Sequence, residues 1–271
     1  MIITYVLAAI LGLCVGSFLN VVIYRVPQKM SIAKPASHCP QCMYKLRWYD
    51  NIPVISYILL GGKCRFCKKH IPIRYTIVEA ANAVFWILCV YLFWDRQNAP
   101  YYAIIAALAI STLICIFFID LEHKLIFDRF QLIMLALGVA ALLLGIFDKP
   151  VSGYSTWRSQ LIGCAVAGGF FLLMYIVALF VFKKEGLGFG DVKLAAVCGL
   201  FLGWQKIFLA LLFASIVGSI VLICVRKAKN DEKQHEYPFA PFIVGGVILA
   251  MFTGDIIIKF YTSLFDYVSL I

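Results

Sequence analysis

The feature that most constrains this chain is a succession of uncharged apolar runs, each close to the length of a membrane-crossing helix, separated by short segments rich in Lys and Arg. Crossing the hydrocarbon core takes about 20 mostly apolar residues as helix. The runs are continuous rather than alternating, so helices satisfy the backbone where a membrane barrel would not. Full-length runs cover 2–24, 75–94, 101–119, 131–147, 161–182, 207–225 and 242–260, and a shorter piece covers 194–204. With 63% hydrophobic and 14% charged residues, the 271-residue chain is solvated largely by lipid. The expected fold is an all-α polytopic membrane protein of about eight transmembrane helices.

The formal net charge is +10, but its distribution argues against nucleic acid. Nineteen of the 24 Lys and Arg residues fall in four segments, 25–74, 120–130, 183–193 and 226–241. The positive-inside rule and anionic headgroups account for such clusters, which places these segments in the cytoplasm in contact with membrane lipids. All four share one face if 194–204 also crosses. Eleven residues are short for a full crossing at about 1.5 Å each, so the preceding loop, with Asp191, is expected to dip into the protein. The run from Met1 to Tyr24 has no basic residue before it and no small-residue cleavage site after it, which predicts a retained first helix with its N-terminus outside.

The one long polar insertion, 25–74, divides the chain into a first helix (1–24), a cytoplasmic domain (25–74) and a helical remainder (75–271). It contains Cys39-Pro-Gln-Cys42 and Cys64-Arg-Phe-Cys67. Two such knuckles bring four thiolates into tetrahedral geometry around Zn2+. A segment this small has little core of its own, so metal would supply stability directly. Four thiolates leave no open position for water, making the site structural. His38 and His70 flank the knuckles as possible substitute ligands. The other six cysteines lie in apolar runs and read as small packed side chains.

Carboxylates near a span are costly and each needs an account. Asp120 ends the run 110–119, and Asp191 follows Gly186-Leu-Gly-Phe-Gly190. Glycines alternating with apolar residues make poor helix but allow positive φ and close backbone approach, so the loop can carry a carboxylate into a desolvated site. Two carboxylates meeting there would share one proton, one acting as general base on water and the other as general acid on a leaving amine. On spacing alone, both also read as helix-end groups, with Asp191 capping the next helix. Glu79, Glu122, Asp128 and Glu185 read as boundary residues, Glu79 with a basic partner. No H-E-x-x-H, G-x-S-x-G or G-K-[ST] pattern offers a rival chemistry.

These residues together resemble the type IV prepilin peptidases, bacterial membrane aspartic proteases. Gly188-Phe-Gly-Asp191-Val-Lys193-Leu matches G-x-G-D-x-K-L. Gly16-Ser-Phe-Leu-Asn-Val-Val-Ile-Tyr-Arg25, the two knuckles, Ser56-Tyr57, Gly62-Lys63-Cys64-Arg65, Arg74-Tyr75, Val78-Glu79, Ile119-Asp120 and Pro238-Phe-Ala-Pro-Phe242 agree as well. The resemblance implies an inner-membrane enzyme whose substrates are prepilins or pseudopilins. It implies cleavage of a basic leader before the hydrophobic stretch at the cytoplasmic face, then N-methylation with S-adenosylmethionine. Asp120 and Asp191 carry over as the catalytic pair, Gly188, Gly190 and Lys193 as support of the catalytic loop, and Cys39, Cys42, Cys64 and Cys67 as zinc ligands. One departure is Ile126-Phe127-Asp128, where the family has Ile-Pro-Asp; proline would stiffen that turn. No residue pattern marks an S-adenosylmethionine pocket. The 25–74 segment, at net +9, would repel a basic leader, so Glu122, Asp128 or Glu185 are the expected leader contacts. A proton-coupled transporter explains the spans and acids but not the cysteine domain, and a zinc-domain scaffold leaves Asp191 and its loop unexplained.

Overall fold

The structure, a computed structural model, describes residues 1–94, 100–143, 157–182, 188–229 and 237–268. Every regular element among them is helical: α1 (Ile2–Arg25), a 3-10 turn (Trp48–Asn51), α2 (Ile55–Leu59), α3 (Arg74–Phe93), α4 (Pro100–His123), α5 (Asp128–Leu143), α6 (Trp157–Val177), α7 (Phe189–Leu202), α8 (Trp204–Lys229) and α9 (Ala240–Val268).

All eight apolar segments form helix where they are described, but among the described residues six helices rather than eight are long and apolar enough to cross a membrane: α1, α3, α4, α6, α8 and α9. The length of α7 is 14 residues, about 21 Å, against a hydrocarbon core of about 30 Å. The described part of α5 is 16 residues, about 24 Å, and 144–150 lie outside the described residues. Apart from Lys193 and Ala196, every residue of α7 from Asp191 to Leu202 is buried. Its apolarity is that of a core helix enclosed by protein, which composition does not separate from that of a lipid-facing span.

The chain divides into two compact units, Met1–Cys115 and Ile116–Ile271. In the first, α3 lies against α1 along Gly12 and Gly16. A Cβ at Gly12 would come 2.7 Å from the Ala83 Cα, and one at Gly16 would come 2.8 Å from the Glu79 Cα, so this small-xxx-small face lets the backbones touch. Asn82 donates to the Gly12 carbonyl at 2.7 Å, and Ser111 lies 2.8 Å from Asn82 Oδ1 while accepting the Trp86 indole N–H at 2.9 Å. Such satisfied polar contacts fix helix register where the hydrophobic effect does not choose between apolar faces. Arg25, buried at the end of α1, donates to the carbonyls of Ser31 (3.0 Å) and Pro35 (2.7 Å), tying down the loop that follows.

In the second unit α7 packs on α6 with almost no side chain between them. A Cβ at Gly163 would stand 2.6 Å from the Gly199 carbonyl oxygen. Gly138 of α5 admits Leu200 in the same way, its Cβ position 3.2 Å from a Leu200 methyl carbon. Lys206 and Asp255 form a largely buried ion pair between α8 and α9 at 2.9 Å. Glycine contacts thus hold α7, which carries Asp191 in its first turn.

Candidate active site and metal centre

Asp120 lies inside the last turn of α4, since the helix runs to His123 rather than stopping at 119, and it is 5% exposed. A carboxylate at a helix C-terminus faces the negative end of the dipole and needs donors from elsewhere. The backbone N–H of Ala240, the first residue of α9, donates to it. Pro241 occupies the first turn of α9, where a missing N–H costs nothing, so Pro238-Phe-Ala-Pro-Phe242 places a helix N-terminus on this carboxylate.

Asp191 is in the first turn of α7 and 8% exposed. Gly188 is the N-cap, and its backbone N–H donates back to the Asp191 carboxylate, the reciprocal half of a capping box. The Asp120 carboxylate is near enough for its charge to act on Asp191. One oxygen of each, Asp120 Oδ2 and Asp191 Oδ1, is buried without a hydrogen-bond partner among the described residues. Each carboxylate is thus held at one oxygen by the N–H of a helix start.

The glycines act through closeness rather than left-handed backbone. Gly188 has φ −72°, and neither it nor Gly190 has positive φ. A Cβ at Gly190 would press to 3.1 Å from the Ile126 side chain, and one at Gly188 would stand 3.3 Å from Asp191 Oδ2. Gly186 and Glu185 lie outside the described residues. The 124–127 turn, with Phe127 in place of proline, is closed by Lys124 at φ 54° and by a 3.1 Å bond from the Phe130 N–H to the Phe127 carbonyl. Lys193 pairs with Asp128 at 2.8 Å and stands 5.2 Å from the Phe189 ring centre. Asp128 is therefore engaged, while Glu122 is on the exposed surface.

Sequence reasoning missed Gln131. Its Nδ-equivalent amide nitrogen, Nε2, donates to the Gly190 carbonyl at 2.9 Å from a buried position on α5. The signal was available: a lone amide near the start of an apolar run requires a buried partner.

In the first unit, the Sγ atoms of Cys39, Cys42, Cys64 and Cys67 all lie within 4.8 Å of one another, with Cys39–Cys67 at 3.9 Å and Cys42–Cys64 at 4.0 Å. A tetrahedron with ~2.3 Å Zn–S bonds has sulfur–sulfur edges of about 3.8 Å, so the donor set fits a metal without rearrangement. The knuckles are built alike. The N–H groups of Cys39 and Cys64 bond to the Tyr44 and Lys69 carbonyls, and Met43 and Lys68 each take the left-handed turn at φ 58° and 59°. The Cys67 N–H, helped by that of Phe66 and opposed by desolvation, draws the Cys64 thiol down to about 7. At Cys42 the Tyr44 N–H lowers the pKa, but desolvation and the three neighbouring thiols outweigh it and leave the group at about 11. His38 and His70 are outside the cluster, and His38 Nδ1 is 2.9 Å from the Ala36 carbonyl. Of the remaining cysteines, Cys89, Cys115 and Cys198 are buried, but Cys14 and Cys224 are exposed on their helices.

Glu79 has no basic partner among the described residues. It accepts the Val54 N–H at 2.8 Å and the Ser17 hydroxyl, linking α1, α3 and the start of α2.

Comparison with known proteins agrees with these two assemblies. Residues 10–93 match the Bacterial Peptidase A24 N-terminal domain, and residues 106–223 match the Type IV leader peptidase family. A protein of Myxococcus xanthus, named prepilin leader peptidase/N-methyltransferase, is 40% identical over 213 residues, covering 78% of this chain and 60% of its own length. Proteins of the same name from Pseudomonas aeruginosa and Pseudomonas putida are 34% and 32% identical, covering 93% and 92% of this chain and 91% and 90% of theirs. No solved structure matches. With apolar helices of a multi-pass membrane protein, a four-cysteine cluster and matches at this level over most of its length, the chain belongs to the family of prepilin leader peptidases/N-methyltransferases.

Proposed function

We propose that this chain cleaves the basic leader from type IV prepilins or pseudopilins just before their hydrophobic stretch, with Asp120 and Asp191 as the catalytic pair. The observation that supports the reading is two buried carboxylates near enough to interact electrostatically, each with one oxygen held by a backbone N–H and one without a partner among the described residues. Like charges in a desolvated site favour one proton shared between them. The ionised carboxylate takes a proton from water as its oxygen adds to the scissile carbonyl. The protonated one then donates to the leaving amine as the C–N bond breaks, and the pair is left with one proton as before. Gly188 and Gly190 keep the α7 N-terminus close to its neighbours, and Lys193 braces it through Asp128.

Zinc, held by Cys39, Cys42, Cys64 and Cys67, orders the 25–74 segment and does no chemistry. The four basic segments face the cytoplasm of a bacterial inner membrane, and the basic leader is met by acidic groups including Glu122. The relatives' name supports a second activity, N-methylation of the new N-terminus. S-adenosylmethionine would supply the methyl group to the amine nitrogen, its C–S electron pair returning to sulfur. The test is mass analysis of a purified prepilin incubated with the detergent-solubilised protein. A product beginning at the hydrophobic stretch is expected; an intact substrate, or a cut elsewhere, contradicts the reading.

A further inference from the structure

Inside the strongly basic 25–74 segment, residues 51–62 carry no charge at all. They include α2, in which Ser56 is buried while Ile55, Ile58 and Leu59 are 51%, 68% and 79% exposed. Three aliphatic side chains on a five-residue helix are costly to leave in water, and no described part of the chain covers them.

Two observations identify what does. The first is depth. The Val54 N–H, immediately before α2, donates to Glu79 Oε2 at 2.8 Å. Glu79 lies five residues along α3 from Arg74, about 7.5 Å at the rise of a helix, and α3 has the length and apolarity of a span. Glu79 also accepts from Ser17, eight residues before the end of α1, which is a second such helix. The start of α2 therefore lies alongside the ends of two spans rather than beyond them. That is the level at which interfacial helices bury an apolar face, about 5–10 Å into the headgroup and acyl boundary.

The second observation is the main chain, whose polar groups must be satisfied internally wherever water is scarce. The N–H groups of Ser56, Ile58, Leu60, Gly61 and Gly62 donate to the carbonyls of Ile52, Val54, Ser56, Ile58 and Tyr57. The Ser56 hydroxyl donates to the Ile52 carbonyl as well. The stretch thus exposes apolar side chains and keeps its backbone donors to itself. The charges around it suit the same neighbour. Lys63, Lys68 and Lys69 follow α2 and are exposed, which complements anionic headgroups. The one acid of the 25–74 segment, Asp50, is already paired with Arg65 at 2.6 Å.

We infer that α2 is an interfacial anchor: Ile55, Ile58 and Leu59 insert into the phospholipid leaflet that meets the 25–74 segment, with the lysines that follow at its phosphates. The four-cysteine segment is then held against the bilayer by α2 as well as by the two helices that flank it. The inference does not depend on the catalytic reading of Asp120 and Asp191.

The test places the photoreactive residue p-benzoylphenylalanine at Leu59 in the full, zinc-loaded chain, reconstituted in nanodiscs of phosphatidylethanolamine and phosphatidylglycerol. After irradiation, the intact mass is expected to show the chain plus one phospholipid, with or without added prepilin. Absence of a phospholipid adduct, or its replacement by an adduct to prepilin or to a second copy of the chain, would overturn the inference. Amide exchange in the same nanodiscs gives an independent reading. Ile58→Ser/Leu59→Ser should speed exchange across 52–62 about tenfold or more, through the loss of two inserted side chains. Exchange at the wild-type rate would contradict an inserted α2.

Discussion

The side-chain amide of Gln131 donates to the carbonyl of Gly190, the residue immediately before Asp191, across 2.9 Å from α5 to the start of α7. The bond fixes the peptide plane that carries the candidate carboxylate, so we treat Gln131 as a positioning residue. Replacing it with Met keeps the volume but removes a donor from a half-buried carbonyl, which costs about 1 kcal/mol locally. The expected outcome is a fall in kcat of about tenfold or more, with KM for prepilin and bound zinc unchanged. A variant with wild-type kcat would show that Gly190 needs no such anchor.

Gly190→Ala should impair cleavage through one contact. The new methyl lies 3.1 Å from the Ile126 side chain, closer than such groups normally pack, and overpacking of this kind costs about 1–3 kcal/mol. Shortening the neighbour relieves it, so Gly190→Ala/Ile126→Ala should recover most of the activity that the single substitution loses. A double variant no better than the single one would place the glycine requirement elsewhere.

The Lys193–Asp128 pair, 2.8 Å long, is 41% exposed at the lysine and 69% at the aspartate. Pairs so open to solvent contribute about 0–1 kcal/mol. Lys193→Gln and Asp128→Asn are each expected to leave thermal unfolding nearly unchanged and to weaken cleavage modestly, and their double variant to do no worse than either alone. A large drop in stability from either would mean that the pair is a main support of the α7 start.

Metal binding should depend on pH with a definite sign. Ligation requires thiolates, so protons compete with zinc. Cys64, drawn down to about 7, is ready to ligate near neutrality, whereas Cys42, at about 11, must release a proton on binding. Zinc affinity, measured against a chromogenic chelator, should therefore fall as pH drops through about 7 and rise above it. Chelation should loosen the 25–74 segment, seen as faster amide exchange there. A flat pH dependence would contradict four-thiolate ligation.

What the sequence made legible followed from strong local signals. Uncharged runs located the helices, and paired C-x2-C spacing located a cluster whose sulfurs do converge. Among the described residues six helices rather than eight have the length and apolarity of a span, and α7 is as apolar as one while being enclosed by protein; hydropathy registers what a residue avoids, not what covers it. Asp120 was read at a helix boundary, and its buried carboxylate accepts the N–H of Ala240, 120 positions away in the chain. Gln131 and the Glu79 contacts were missed for the same reason, since their partners, the Gly190 carbonyl, the Val54 N–H and the Ser17 hydroxyl, belong to distant parts of the chain. Glycine around Asp191 was read correctly as permissive, but what it permits is the nearness of Ile126 and not a left-handed turn.

The most direct test of the central claim is cleavage of a prepilin by the wild type, Asp120→Asn and Asp191→Asn, with zinc content and thermal unfolding measured on the same preparations. Each amide keeps the size of the carboxylate and loses its role in proton transfer, which is worth about 10²–10⁴ in rate. We expect both variants to fold, retain zinc and lose cleavage by at least that factor. Near-wild-type cleavage by either folded variant would contradict a catalytic pair formed by Asp120 and Asp191.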